Sequence, residues 1–167
     1  MATKEQEIVR AAIQLEHDGR KLYLDVAAKT SSAVAHRMFE SLADDELRHI
    51  ERIQQLSPGD KTAEEVNKEL YQRLSHIFAD MPEEVRRTAE VAESDAEALN
   101  LAIDMEVKSR EAYLKWAEES DTERMRTLCE TLAEEERFHR ELLENTREYL
   151  AYSIDWFLQD RGVVELG

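Results

Sequence analysis

Cysteine, glycine and proline are scarce in this chain of 167 residues. Its one cysteine, Cys129, leaves no partner for a disulfide within the chain and no Cys-x-x-Cys pair for zinc or redox chemistry. Four glycines and two prolines leave long stretches without a helix breaker. No hydrophobic run approaches the length that crosses a bilayer, and residues 1–10 are charged where a signal sequence would be apolar. These absences predict a helical cytoplasmic protein with no membrane segment.

Basic residues are outnumbered by acidic ones. The chain has 22 Lys and Arg against 38 Asp and Glu, a formal net charge of -16. Because a nucleic-acid backbone is bound by clustered Lys and Arg, this balance argues against nucleic acid as a partner and favours cations. Most acidic side chains are expected on solvated helix faces, and the run Glu134, Glu135 and Glu136 cannot all point inward.

The hydrophobic pattern has the period of an α-helix. Apolar residues recur every three or four positions in four segments, at about 4–28, 32–55, 94–120 and 121–150. This spacing predicts four amphipathic helices. Because the first two and the last two segments are joined by short turns, each pair is expected to form an antiparallel hairpin.

A long connection separates the two hairpins. Residues 60–93 can cross the length of a bundle, and within them Thr62 and Glu65 make a capping box ahead of a short apolar pattern. Two hairpins with one long crossover predict an all-α, ferritin-like four-helix bundle. We expect this domain to span residues 1–150, with residues 151–167 as an apolar C-terminal extension.

The two halves of the chain repeat each other. Residues 11–27 and 37–51, aligned without gaps with the residues 90 positions later, give 13 identities in 32 positions. Chance would give roughly one identity in fifteen positions, so the pattern indicates an internal repeat. The repeated residues include Glu16, Tyr23, Glu46 and His49, which recur as Glu106, Tyr113, Glu136 and His139.

The repeated Glu and His residues lie on the apolar stripes of their helices. Residues three apart share a helix face, so Glu46 with His49, and Glu136 with His139, each present a carboxylate and an imidazole together. Four carboxylates in an apolar interior would repel one another unless cations compensated them, and two divalent ions balance four charges. Oxygen-rich ligands with one nitrogen per ion suit iron or manganese better than zinc.

Several short sequence motifs resemble those of one protein family. The stretches 16–23, 39–49, 102–113 and 132–139 are similar to motifs of rubrerythrins, a branch of the ferritin-like di-iron carboxylate proteins. The resemblance covers roughly residues 8–150.

The resemblance implies a pair of iron ions, with manganese as the alternative metal. It also implies the residues that hold them. The ligands would be Glu16, Glu46, His49, Glu106, Glu136 and His139, with Glu46 and Glu136 bridging the two ions. Tyr23 and Tyr113, each two helical turns beyond a Glu, would hydrogen-bond inward carboxylates and orient them.

The chain departs from typical rubrerythrins in two respects. Those proteins append a small domain whose iron is held by cysteines, which a sequence with one cysteine cannot build. They also carry a further carboxylate one turn after the third-helix ligand, where this chain has Ser109. The resemblance therefore implies that electrons come from a separate donor such as a rubredoxin-type protein.

Three functions are consistent with the sequence. The first is an oxidoreductase that reduces hydrogen peroxide or dioxygen. The second is a ferroxidase that stores iron, and the third is a non-catalytic, metal-binding helical interaction module. The first predicts a homodimer or small homo-oligomer with about two metals per chain, whereas iron storage predicts a large cage.

Overall fold

The computed structural model describes residues 3–30, 32–56, 61–79 and 93–149, and these residues form five α-helices with no strand. The helices are α1, Lys4–Lys29; α2, Ala33–Gln55; α3, Ala63–Ala79; α4, Glu93–Glu119; and α5, Glu123–Tyr149. The predicted all-α fold is confirmed, and α3 is the short helix expected in the crossover. The side chains of residues 77–79, 93–95 and 149, like the predicted C-terminal extension 151–167, lie outside the described set.

Polar side chains cap the helices where the chain turns. Thr3 and Gln6 form a capping box at the start of α1, and the Ser32 hydroxyl accepts a hydrogen bond from the backbone of Ala35 at the start of α2. The predicted box before α3 is present: Thr62 and Glu65 each accept a backbone hydrogen bond from the other, at 2.8 and 3.2 Å. These caps satisfy amide groups that the first helical turn leaves without partners.

The helices pack as two hairpins with a covering helix. α1 packs along α2, α4 packs along α5, and α1 also contacts α4. Tyr23 lies beside Glu106 and Tyr113 beside Glu16, so α1 and α4 run in opposite directions. The crossover helix α3 lies against α2 and α5, which are the two helices that carry the Glu-x-x-His sequences.

A polar layer divides the hydrophobic interior. One apolar cluster includes Phe39, Leu42 and Leu143, and a second includes Ile53 and Leu128. On each of the four long helices the predicted ligands fall between residues of the two clusters. The candidate site is therefore enclosed by packed side chains above and below.

In the part of the chain that the structure describes, no helix combines the length and the apolar character needed to span a membrane.

Candidate metal centre

Each of the four long helices contributes acidic or imidazole side chains to one buried layer. α1 supplies Glu16, α2 supplies Glu46 and His49, α4 supplies Glu106, and α5 supplies Glu136 and His139. All six are at most 3% exposed. The structure thus brings together every residue that the sequence predicted as a ligand.

The six side chains form two overlapping groups of possible ligand atoms. Glu16, Glu46, His49 and Glu136 make one group, and Glu46, Glu106, Glu136 and His139 make the other. Within each group the ligand atoms lie within 4.8 Å of one another. Glu46 and Glu136 belong to both groups, which is the arrangement that two ions with shared carboxylates require.

Several atoms of this layer have no hydrogen-bond partner among the described residues. They are Glu46 Oε1, Glu106 Oε2, both carboxylate oxygens of Glu136, and His139 Nδ1. Buried polar atoms are nearly always hydrogen-bonded in proteins, so a group of unsatisfied acceptors at one point indicates a site built for something else. Carboxylate oxygens and an imidazole nitrogen fit a pair of divalent cations.

The His49 ring is held from both sides. Its Nδ1 lies 3.2 Å from Glu16 Oε2 and 3.4 Å from Glu136 Oε1, inside the layer. Its Nε2 points outward and hydrogen-bonds Glu135 Oε2 at 3.0 Å. Glu135 in turn accepts two hydrogen bonds of 2.8 Å from Arg52. This chain of contacts fixes the ring with Nδ1 toward the cluster.

The His139 ring is held in the corresponding way but less closely. Its Nδ1 lies 3.4 Å from Glu46 Oε1 and 3.4 Å from Glu136 Oε2, and its Nε2 lies 3.5 Å from Asp45 Oδ2. Asp45 accepts a hydrogen bond from Arg73 of α3 at 3.2 Å and pairs with Arg48. The two imidazoles stack with ring centroids 5.5 Å apart.

Each tyrosine hydrogen-bonds a glutamate of the other repeat. The Tyr23 hydroxyl donates to Glu106 Oε1, and the Tyr113 hydroxyl donates to Glu16 Oε1. Both rings are fully buried. The hydrogen bonds predicted for these tyrosines are therefore present, and they run crosswise between α1 and α4.

The sequence model of the rubrerythrin family matches residues 7–144, most of the 167-residue chain. The chain belongs to the rubrerythrin family. Membership implies a di-iron site in a ferritin-like bundle, and the buried Glu and His layer has the donor set to hold two metal ions. No curated protein and no solved structure matches the chain.

Burial and the charges of neighbouring side chains shift the pKa values in this rubrerythrin site. Burial and the nearby Glu16 raise the pKa of Glu46 to about 8, and burial with the nearby Glu136 raises that of Glu106. Burial also acts on Glu16, but the charge and hydrogen bonds of His49 outweigh it and lower its pKa to about 2. The layer therefore binds protons when no metal is present, and a cation would displace them.

Two supporting residues were not singled out from the sequence. Asp45 and Glu135 are each 2% exposed, whereas Glu134, which precedes Glu135, is partly exposed. Neither lies on the inward-facing stripe of its helix. Each immediately precedes a predicted ligand Glu, so its side chain points about 100° around the helix from that Glu. The repeat itself carries the missing signal, since the two acidic residues are 90 positions apart.

A small residue lies one turn after Glu16 of α1 and one turn after Glu106 of α4. Gly19 follows Glu16 by one turn, and Ser109, the residue that departs from typical rubrerythrins, follows Glu106 by one turn. A Cβ atom on Gly19 would lie 3.4 Å from Met105 Sδ and 3.6 Å from Glu46 Oε2, so α1 and α4 approach closely here. Ser109 is buried at 5% exposure. α1 and α4 thus each present one carboxylate to the layer.

Proposed function

We propose that this rubrerythrin-family protein is a di-iron oxidoreductase that reduces hydrogen peroxide or dioxygen with electrons from a separate protein. The observation that supports it most is the pair of overlapping ligand groups that share Glu46 and Glu136 in a buried layer. Two metal positions side by side suit a two-electron reaction better than two separate mononuclear sites would.

In this proposal the ligands are the six residues predicted from the sequence. Glu16 and His49 would hold one ion, Glu106 and His139 would hold the other, and Glu46 and Glu136 would be shared by both. Five carboxylate and imidazole atoms of the layer lack hydrogen bonds among the described residues, which supports a metal-binding role for them. The oxygen-rich donor set with one nitrogen per ion favours iron, with manganese as the alternative.

When bound, a pair of iron ions would supply two electrons by changing between the ferrous and ferric states. The chain's own residues would hold and orient this pair. Tyr23 and Tyr113 fix Glu106 and Glu16 by hydrogen bonds, and Glu135 fixes the His49 ring. The two apolar clusters exclude bulk water from the layer, which strengthens the electrostatic contacts inside it.

The electron donor is proposed to be a separate protein, such as a rubredoxin-type one, in the cytoplasm. Cys129 is buried, and burial raises the pKa of its thiol to about 11. A buried, protonated thiol is a poor redox group, so this side chain does not substitute for a Cys-ligated iron centre.

Metal analysis followed by an optical spectrum tests the proposal. Protein loaded with ferrous iron under anaerobic conditions should contain about two irons per chain. Addition of one equivalent of hydrogen peroxide should oxidise both within seconds and produce a near-ultraviolet charge-transfer band, while zinc-loaded protein should show no change. Less than one iron per chain, or iron that peroxide does not oxidise, would overturn the proposal.

The mass of the assembly separates this function from iron storage. A small oligomer that stays at about two irons per chain in excess iron and air fits the oxidoreductase. A cage-sized assembly that takes up many irons per chain would replace it with the storage function. Light scattering coupled to size-exclusion chromatography, before and after iron addition, gives both answers.

A further inference from the structure

A small cavity lies behind the candidate metal centre, under the crossover helix α3. Its volume is about 10 Å³. It is lined by four polar or charged residues, Asp45, Asn67, Glu135 and His139, and by three apolar ones, Val66, Leu70 and Phe138. This volume matches the space that one water molecule needs.

Asn67 lines this cavity and carries an unsatisfied acceptor. Its side-chain Oδ1 is buried and makes no hydrogen bond to any described residue. A buried amide oxygen without a partner costs about 1–3 kcal/mol. One water molecule, bonded to Asn67 and to a neighbouring carboxylate, would remove that penalty.

The cavity borders the carboxylates that support both histidines, and the support of His139 is the looser of the two. His49 Nε2 lies 3.0 Å from Glu135, whereas His139 Nε2 lies 3.5 Å from Asp45. Asp45 is also the carboxylate that α3 already contacts through Arg73. A water molecule here would give the Asp45 side of the centre a second hydrogen-bonded connection to α3.

We propose that this cavity is a water-binding site, and that Asn67 is a positioning residue which acts through the bound water on the Asp45–His139 pair. The inference concerns the support of the metal ligands and rests on the proposed metal centre for its functional consequence. The crossover helix then does more than cover the bundle, because it takes part in orienting one of the two imidazoles.

A high-resolution crystal structure of the iron-loaded protein tests the water site directly. We expect one ordered water within hydrogen-bond distance of Asn67 Oδ1 and of a carboxylate oxygen of Asp45. A water that contacts Glu135 and not Asp45 would overturn the proposed action on the Asp45–His139 pair. An empty cavity, or one filled by a side chain, would overturn the water site. This readout uses the unaltered chain, so it stands even if a variant fails to fold.

Three variants test the positioning role. Asn67→Leu removes the acceptor and fills the cavity, Asn67→Ser keeps a hydrogen-bonding oxygen, and Gln72→Leu makes the same polar-to-apolar change on the exposed side of α3. Loss of a hydrogen bond that supports a ligand directly typically lowers metal affinity 10- to 100-fold. A hydrogen bond that acts through a water molecule supports the ligand less strongly, so we expect its loss to lower metal affinity only about threefold. We expect a chelator to remove iron about threefold faster from Asn67→Leu, and at the wild-type rate from the other two.

The outcomes distinguish this inference from the proposed function. Equal iron-removal rates in Asn67→Leu and Gln72→Leu, with two irons bound in each, would overturn the positioning role and leave the proposed function intact. Wild-type protein that binds no iron would refute the proposed function, while the crystallographic water would still report on the cavity.

Discussion

Glu46 and Glu136 are the residues on which both halves of the candidate centre depend. Each lies in both groups of ligand atoms, whereas Glu16 and Glu106 each lie in one. A change at a shared residue therefore affects two metal positions at once. The other ligands are expected to produce a graded loss, with one ion released before the other.

Replacing either shared glutamate should empty the site. Glu46→Ala or Glu136→Ala is expected to retain less than about one metal per chain, since each removes a ligand from both ions. Elemental analysis after gel filtration measures this. Glu134→Ala, a partly exposed position on the same helix as Glu136, is the matched control and should keep about two metals per chain. Two metals in Glu46→Ala would refute the bridging assignment.

Glu135 should affect metal affinity without touching metal. Burial alone would raise its pKa, but hydrogen bonding to His49 and the charges of His49 and Arg52 lower it, so Glu135 remains ionised. Glu135→Gln leaves His49 with a weaker acceptor and should lower metal affinity about 10- to 100-fold. Competition with a coloured chelator measures the change, with Glu134→Gln as the control. Equal affinities for the two variants would contradict the role of Glu135.

At the residue scale, the six residues that lie together in the buried layer could be predicted because the sequence repeats their pattern in both halves. Glu46 and His49 are three apart on an apolar stripe, and the same pattern recurs at Glu136 and His139. Which tyrosine pairs with which glutamate could not be predicted, because that depends on the antiparallel packing of α1 and α4. Glu135 was missed because it lies about 100° around the helix from Glu136 and so falls outside the apolar stripe.

At the scale of elements, α3 is part of the hydrophobic interior. Leu70 and Leu74 belong to the same buried cluster as Phe39 and Leu142. Arg73, between them, hydrogen-bonds Asp45 and Ser41 of α2. The capping box before α3 could be predicted from the sequence. The helices that α3 packs against could not, because that depends on how the bundle assembles.

Truncating the buried side of α3 should destabilise the whole bundle. Leu74 is fully buried, and Leu74→Ala is expected to lower the free energy of unfolding by about 2–5 kcal/mol. Urea unfolding followed by circular dichroism measures it. Gln72→Ala, on the exposed side of the same helix, should change stability by about 0.5 kcal/mol or less. If Leu74→Ala matched that control, α3 would not contribute to the core.

At the scale of the whole molecule, the polar layer links stability to metal binding. Four glutamates and two histidines separate the two apolar clusters, and burial opposes the charged form of each glutamate whose pKa shifts. Because this layer exists only in the folded chain, metal ions bound there would shift the folding equilibrium toward the folded state.

Removing the metal should therefore lower the melting temperature. At a free-metal concentration 1,000 times the dissociation constant, one ion adds about 4 kcal/mol of stability. For a domain of this size that corresponds to roughly 10 °C. Differential scanning calorimetry with and without chelator measures the shift. Glu46→Ala should melt at the same temperature in both conditions, and a metal-dependent shift in that variant would contradict the assignment.

The crosswise contacts bear on how such a centre could arise. Tyr23 supports Glu106 and Tyr113 supports Glu16, while His49 contacts Glu135 and His139 contacts Asp45. Each of these four contacts joins one hairpin to the other, so a lone hairpin holds an incomplete set. An ancestral gene half this length could have assembled the same constellation by pairing two identical copies around a twofold axis. Fusion of two such genes would then have freed each half to diverge, as Asp45 and Glu135 have done.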